Sequence, residues 1–325
     1  MAVERRPSGL ICLECMLTRN RLSHRILKLL LLAVAIGLVA AAVWPQARLA
    51  MVWAAGRCQG CTFRDSIRSH ALLVDMARAG EEIGAASKVI ERDPKGFELV
   101  ETPMGRYWTQ PHDRFLKFTL GEEKLEIYDR DKVTVKPGDV VLDCGANVGV
   151  FTRTALRRGA RLVVSIEPAP ATVECLRRNF GREIAEGRVI VVPKGVWDRI
   201  DVLELALGDE GNTTGDSFVL GANQKRKVKV PLTTIDILTD ELKLPRVDFI
   251  KMDIEGAEKQ ALRGAAGTIR KYIPRMAIAA EHLPDDFTAI PRVVAAIHPN
   301  YEVQSSSCKD AFTEIKPEVL LFQPK

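Results

Sequence analysis

From Val140 onward the chain alternates short apolar runs with stretches whose apolar residues recur at helical spacing. The runs Val140–Asp143, Leu162–Glu167, Val189–Val192, Val247–Met252, Met276–Glu281 and Val319–Phe322 predict strands. Between them, Val148–Arg158, Ala171–Asn179, Ala257–Leu262 and Phe287–Ile297 predict helices. Strands that are apolar on both faces and separated by helices belong to a parallel sheet covered on both sides. The expectation is therefore an α/β fold, a doubly wound and mostly parallel sheet, occupying residues 97–325. Residues 93–136, richer in charged and aromatic side chains, read as an antiparallel preface or lid.

The amino-terminal pattern differs. Leu29 to Trp44 carries no charge, and Ile26, Leu27 and Lys28 extend the run to residue 26, with the Lys28 ammonium able to snorkel. At 1.5 Å per residue such a run just crosses a hydrocarbon layer of about 30 Å. It predicts a single transmembrane anchor over 26–44, preceded by a basic segment over 1–25 and followed by a linker and helical stalk over 45–96. A cleaved signal peptide, with Ala40-Ala41-Ala42 near its processing point, and a buried core helix are the other readings of the run. The stalk rests on Ile67, Leu72, Leu73, Met76 and Ile83, which fall near helical spacing until Asp93-Pro94 stops them.

Composition sharpens this picture. The 325 residues are 46% apolar and 27% charged, enough to bury a core and too apolar for a disordered chain. Net charge is +5, yet residues 1–61 hold eight basic residues against two acidic, so the remaining body sums to −1. A nucleic-acid partner is not expected of a body without basic excess. The basic residues Arg19, Arg21, Arg25 and Lys28 before the apolar run favour a cytoplasmic amino terminus and a body beyond the bilayer. Cys12 and Cys15 form one CxxC pair, Cys58 and Cys61 another, on opposite flanks of the run. Such pairs cannot share a zinc ion across a bilayer; they read as incidental thiols or acylation sites, and no metal site is assigned.

The clearest chemistry is written in Val140-Val-Leu-Asp-Cys-Gly-Ala-Asn-Val-Gly149. An apolar strand runs into Asp143, Gly145, Asn147 and Gly149 and then into a helix, so backbone N–H groups at the turn are open to a ligand. The next strand ends in Glu167, 22 residues after Gly145, where an acid suits a bidentate hold on ribose hydroxyls. Asp143 stands where a pyrophosphate site would not want an acid, so the expected ligand has cationic character, an ammonium or a sulfonium, as in S-adenosylmethionine. A second passage, Val247 to Glu258, crowds Lys251, Asp253, Glu255 and Glu258 at the exit of a central strand. Their uses are general base, orientation of a substrate hydroxyl, or a seat for a divalent metal; acids that cap a helix start are the plainer reading.

Taken together, PGDVVLDCGANVGVFT, SIEPAP and VDFIKMDIEGAEKQALRGA resemble the FkbM family of S-adenosylmethionine-dependent methyltransferases. VPLTTIDIL and Pro274 to Glu281 extend the likeness over residues 97–283. The resemblance implies a class I methyltransferase (Rossmann-like) fold and O-methylation of a sugar, a glycan or glycolipid, or another hydroxylated metabolite. Carried over by position, Asp143, Gly145, Asn147, Gly149 and Glu167 would hold the cofactor. Asp198 would approach the adenine amino group or serve as a turn acid. Lys251, Asp253, Glu255 and Glu258 would correspond to the family's acidic segment and Glu281 to its later acid, with His282 a further candidate for proton transfer. The resemblance does not choose the base among them.

The first rival function is a non-catalytic nucleoside-binding module on the same fold; a nicotinamide oxidoreductase is weaker, lacking G-x-G-x-x-G. Because the donor is made in the cytosol, the catalytic domain is expected on the cytosolic side of a single-pass membrane protein, against the charge count.

Overall fold

The computed structural model describes residues 26–37, 39, 44–208, 215–220 and 223–325. Helix α1 (26–37) is followed by α2 (Pro45–Ala54) and the long α3 (Phe63–Ala85), which is capped by the Thr62 side chain on Asp65 N. An antiparallel sheet of β1 (Lys88–Arg92), β2 (Glu98–Thr102) and β3 (Gly105–Thr109) comes next, then α4 (Leu116–Lys124). The main body runs β4 (Val140–Cys144), α5 (Val150–Arg157), β5 (Leu162–Ile166), α6 (Pro170–Asn179), α7 (Gly181–Ala185) and β6 (Val189–Val192). A small sheet of β7 (Gly195–Val196), β8 (Asp201–Ala206) and β9 (Lys227–Thr233) interrupts it before α8 (Ile235–Glu241). It closes with β10 (Phe249–Met252), α9 (Glu258–Arg263), α10 (Ala266–Tyr272), β11 (Arg275–Ala279), α11 (Asp286–Ile297), β12 (Tyr301–Asp310) and β13 (Ile315–Pro324).

The central sheet has seven strands in the order β12-β13-β11-β10-β4-β5-β6. Strands β11, β10, β4, β5 and β6 are parallel, and β13 and β12 add on antiparallel. Alternate residues of each strand enter opposite cores. Val140, Leu142, Ile250, Met252, Met276 and Ile278 pack with α8 to α11, while Val141, Phe249, Ala277, Val319 and Leu321 pack with α3 and α5. Chain order reverses between β4 and β10, and their carboxyl ends open the crevice in which doubly wound sheets bind ligands. The mixed α/β fold with a mostly parallel sheet is as the sequence pattern requires.

The single-pass anchor and membrane placement are corrected. Among the described residues no helix is long and apolar enough to cross a membrane. A residue before proline is driven out of the helical region, and Trp44 is extended at φ −118°, ψ 108°. A new helix begins after it and belongs to the body, with Leu49 and Val52 buried against Cys308 and Ile315. Arg48 donates to Asp310 Oδ1 at 2.8 Å across the same seam. The basic segment 1–25 with Cys12 and Cys15, and residues 38 and 40–43 of the expected span, lie outside the described residues.

Other expectations shift in this region. Helix α3 lies against α4 and β12 instead of standing clear as a stalk. The two helices cross where neither side has a side chain: a Cβ on Gly80 would lie 2.9 Å from Lys117 O, and one on Gly121 would lie 2.7 Å from Met76 O. Cys61 is joined to Cys308, 247 residues away, a pairing that no local spacing signals.

Candidate active site

A cavity of about 490 Å³ opens at the carboxyl ends of β4, β5, β10 and β11, within the size range of small-molecule sites. One end is built by the β4 turn and the end of β5. Gly145 (φ 76°) and Asn147 (φ 49°) occupy the left-handed region, which brings their backbone to the cavity wall. Gly145 is obligatory there, since a Cβ would lie 1.8 Å from Asp253 O. Glu167 accepts from Asn147 N at 3.0 Å and from Ala169 N at 2.9 Å, so one carboxylate ties the two turns together beside the cavity. Burial pushes Glu167 up to about 7 despite those bonds.

Asp143 lies beneath this turn instead of in the cavity wall. It is fully buried, accepts from Thr152 Oγ1 at 2.7 Å, and its Oδ1 is 3.6 Å from Lys251 Nζ. Gly149, at φ 91°, precedes α5 and faces Phe180. Asp198 pairs with Arg199 at 3.0 Å outside the cavity. The second acid at that end, besides Glu167, is Asp216, which accepts from Gly208 N at 2.7 Å and lines the wall with Phe218. Both come from the arm between β8 and β9, where no motif marked them.

The other end gathers the second acidic passage. Lys251, Asp253, Glu255, Glu281 and His282 all line the cavity. Lys251 donates to Gly145 O at 2.8 Å and is 3.9 Å from Asp253 Oδ2. Asp253 Oδ2 accepts from Tyr128 Oη at 3.0 Å. His282 Nδ1 meets Glu258 Oε1 at 3.1 Å, while its Nε2 lies 3.5 Å from both Asp253 Oδ1 and Glu255 Oε2. Glu258 is fully buried and also receives Ile254 N at 2.9 Å. Glu281 is paired with Lys309.

These contacts set the charges. Burial alone would lower His282, but its bond to Glu258 and the Asp253, Glu258 and Glu255 carboxylates raise it to about 10. Burial would raise Asp253, yet Lys251 and His282 hold it below the usual carboxylate range. Glu255 is pushed up to about 8 by burial and by Asp253. At neutral pH the ligand-free site thus offers Asp253 as an ionised carboxylate, framed by a phenol, an ammonium and an imidazolium. Tyr128 and the acids Glu122 and Glu318 were not anticipated; Tyr128 and Glu122 come from the segment read as a lid, and Glu318 from the last strand.

Buried acids also predict how stability follows pH. Glu123 and Glu318 are each 8% exposed and pushed up to about 7, first by burial; Glu167 behaves likewise. Their folded values lie above those of the unfolded chain, so the folded state keeps protons that the unfolded state releases. Stability should fall as pH rises from about 4.5 through about 7, each group withdrawing on the order of 3 kcal/mol. Thermal unfolding of ligand-free protein should give a higher midpoint at pH 5.5 than at pH 8. A midpoint that climbs across that interval would contradict the assignment.

Comparison with known proteins places the site in a context. Residues 143–315, more than half of the chain, match the family model described as the methyltransferase FkbM domain. The 31-O-demethyl-FK506 methyltransferase FkbM of Streptomyces tacrolimicus is 44% identical over 63 residues, 19% of this chain and 24% of that protein. The methyltransferase sdnD of Sordaria araneosa is 27% identical over 156 residues, 38% of this chain and 59% of the relative. The AMB antimetabolite synthetase AmbE of Pseudomonas aeruginosa is 26% identical over 173 residues, covering 43% of this chain and 8% of that protein. The matches thus span less than two thirds of these relatives' own length. Among solved structures, the methyltransferase FkbM of Methylobacillus flagellatus KT aligns with a TM-score of 0.43 at 21% identity, over 65% of this chain and 55% of that one.

Proposed function

Because the chain belongs to the FkbM methyltransferase family, we propose that it transfers the methyl group of S-adenosylmethionine to a hydroxyl of a sugar, a glycan or glycolipid, or another small metabolite. The observation that carries this reading is one cavity with two unlike ends: a glycine turn and a buried carboxylate at the ends of β4 and β5, and Asp253 beside His282 at the β10 and β11 exits. The first end fits the nucleoside of the donor. Glu167 is buried at the rim with lone pairs left for ribose hydroxyls, the left-handed turn at Gly145 and Asn147 keeps that wall free of bulk, and Phe218 and Asp216 line the cavity with them. When bound, the donor supplies an electrophilic methyl on a sulfonium.

The chain's own residues hold and deprotonate the acceptor. Asp253 accepts the hydroxyl's hydrogen bond, Tyr128 and Lys251 fix that carboxylate in place, and walls shared by both ends bring the two reactants into line. Acids dominate the acceptor end and the body carries a net charge near −1, which suits a small polyhydroxylated acceptor better than a nucleic acid.

Calorimetric titration of S-adenosylmethionine into the full-length protein tests the reading. Micromolar binding displaced by S-adenosylhomocysteine is expected, with no heat from NADH. A folded protein that binds neither donor nor product would overturn it. Binding without transfer of labelled methyl to any of a panel of saccharides and polyols would instead favour a non-catalytic nucleoside-binding module.

A further inference from the structure

We propose that Asp253, Glu258 and His282 form a binding site for a divalent first-row cation of the Mn2+ type at the acceptor end of the cavity. One potential ligand atom from each residue lies within 4.8 Å of the other two. Ligands bound at about 2.1 Å to one ion are separated by about 3–4 Å, so the side chains need close by only about an ångström. The residues come from three firmly placed points of the chain: the exit of β10, the first residue of α9 and the exit of β11.

Two further observations point to a ligand. Glu258 is fully buried, and its Oε2 accepts no hydrogen bond although Oε1 takes both Ile254 N and His282 Nδ1. A buried carboxylate oxygen without a partner is costly, and a cation would satisfy it. His282 Nε2 faces Asp253 Oδ1 and Glu255 Oε2, each at 3.5 Å. That is long for a hydrogen bond and is the spacing of atoms that share an ion. Two carboxylates with one imidazole suit Mn2+ or Mg2+ better than a thiophilic metal. Asp253 and Glu255 are half-exposed towards the cavity, so positions on the ion would remain open to two neighbouring hydroxyl oxygens of an acceptor. The ion's part towards the acceptor rests on the methyl-transfer reading; the site itself does not.

The test uses full-length protein freed of metal by chelation and titrated with MnCl2, with free Mn2+ read from its six-line paramagnetic resonance signal. One bound ion per chain is expected. Glu258→Gln and His282→Asn should each weaken it about 10–100-fold, while Glu281→Gln, whose carboxylate pairs with Lys309, should leave it unchanged. Circular dichroism reports whether each variant is folded; should Glu258→Gln unfold, Asp253→Asn on the half-exposed cavity wall carries the comparison. Folded wild-type protein that removes no Mn2+ from millimolar solution, or binding that survives both substitutions, would overturn the site. Chelated protein transferring methyl at its full rate would overturn the ion's part in the reaction and leave the methyltransferase standing. Mn2+ binding in a protein that ignores S-adenosylmethionine would support the site and sink the transfer reading.

Discussion

Replacing Lys251 with methionine is expected to lower the free energy of unfolding by about 3–5 kcal/mol, and adding Asp143→Asn to that chain is expected to return most of the loss. The two residues are register partners on β10 and β4, pointing to the same face of the sheet. Lys251 is 5% exposed and Asp143 not at all. Taking both charges out of water is expensive, and the intact pair is therefore no guide to net stability. Losing one partner is different. Asp143 would keep only Thr152 Oγ1, Gly145 O would lose its donor, and the Tyr128 ring would lose the ammonium that sits 5.3 Å from its centre.

The same surroundings decide what Lys251 is for. Burial works against its charge, but Asp143 and Asp253 outweigh it and raise the lysine above its ordinary value. A lysine held protonated cannot take a proton from a hydroxyl, so its role is to brace the β4 turn and Asp253. Urea denaturation of wild type, both single variants and the double variant at pH 7 completes the cycle. A Lys251→Met chain within 1 kcal/mol of wild type, or single effects that simply add in the double variant, would remove the pair from its central place.

The strands and both site-bearing turns were legible because their signals are local. An apolar run of sheet length ending in Asp143-Cys-Gly145, or in Asp253-Ile-Glu255, states its place in a doubly wound sheet without reference to anything distant. What stayed hidden depends on contacts remote in sequence. Asp143 and Gly149 carry the motif, but the first lies under the turn and the second faces Phe180, so a position in the pattern did not say whether a side chain reaches ligand. Asp198, following β6, was open between an adenine contact and a turn acid, whereas Asp216 reaches the cavity from the segment between β8 and β9, whose polar, glycine-containing sequence gave no period to read. Tyr128 stands 125 residues from Asp253, and Cys61 stands 247 from Cys308. The apolar run at the amino terminus misled for a different reason: its length was read as one continuous helix, whereas among the described residues no helix is long and apolar enough to cross a membrane.

Asp253→Asn is expected to reduce kcat/KM for methyl transfer by about 10²–10⁴-fold while changing the affinity for S-adenosylmethionine by no more than about threefold. Asparagine matches the aspartate in size and can still accept from Tyr128, which isolates the loss of charge from the loss of shape. Asp253 is the group whose environment keeps it ionised: Lys251 and His282 lower it against its own burial, while Glu255 beside it is pushed up to about 8 and His282 to about 10. In the metal-free site an imidazolium cannot serve as the base, Glu255 is largely protonated at neutral pH and Glu281 is paired with Lys309, so the acceptor proton has Asp253 as its destination. Tyr128→Phe should cost less, about three- to tenfold, because it removes one hydrogen bond to the carboxylate and leaves the charge. The measurement is labelled-methyl transfer to an acceptor that wild type accepts, alongside calorimetry of the donor. An Asp253→Asn enzyme that keeps a third or more of wild-type kcat/KM would move the proton to another group. A Tyr128→Phe effect as large as the Asp253→Asn effect would mean that the position of the carboxylate, and not its charge, limits the reaction.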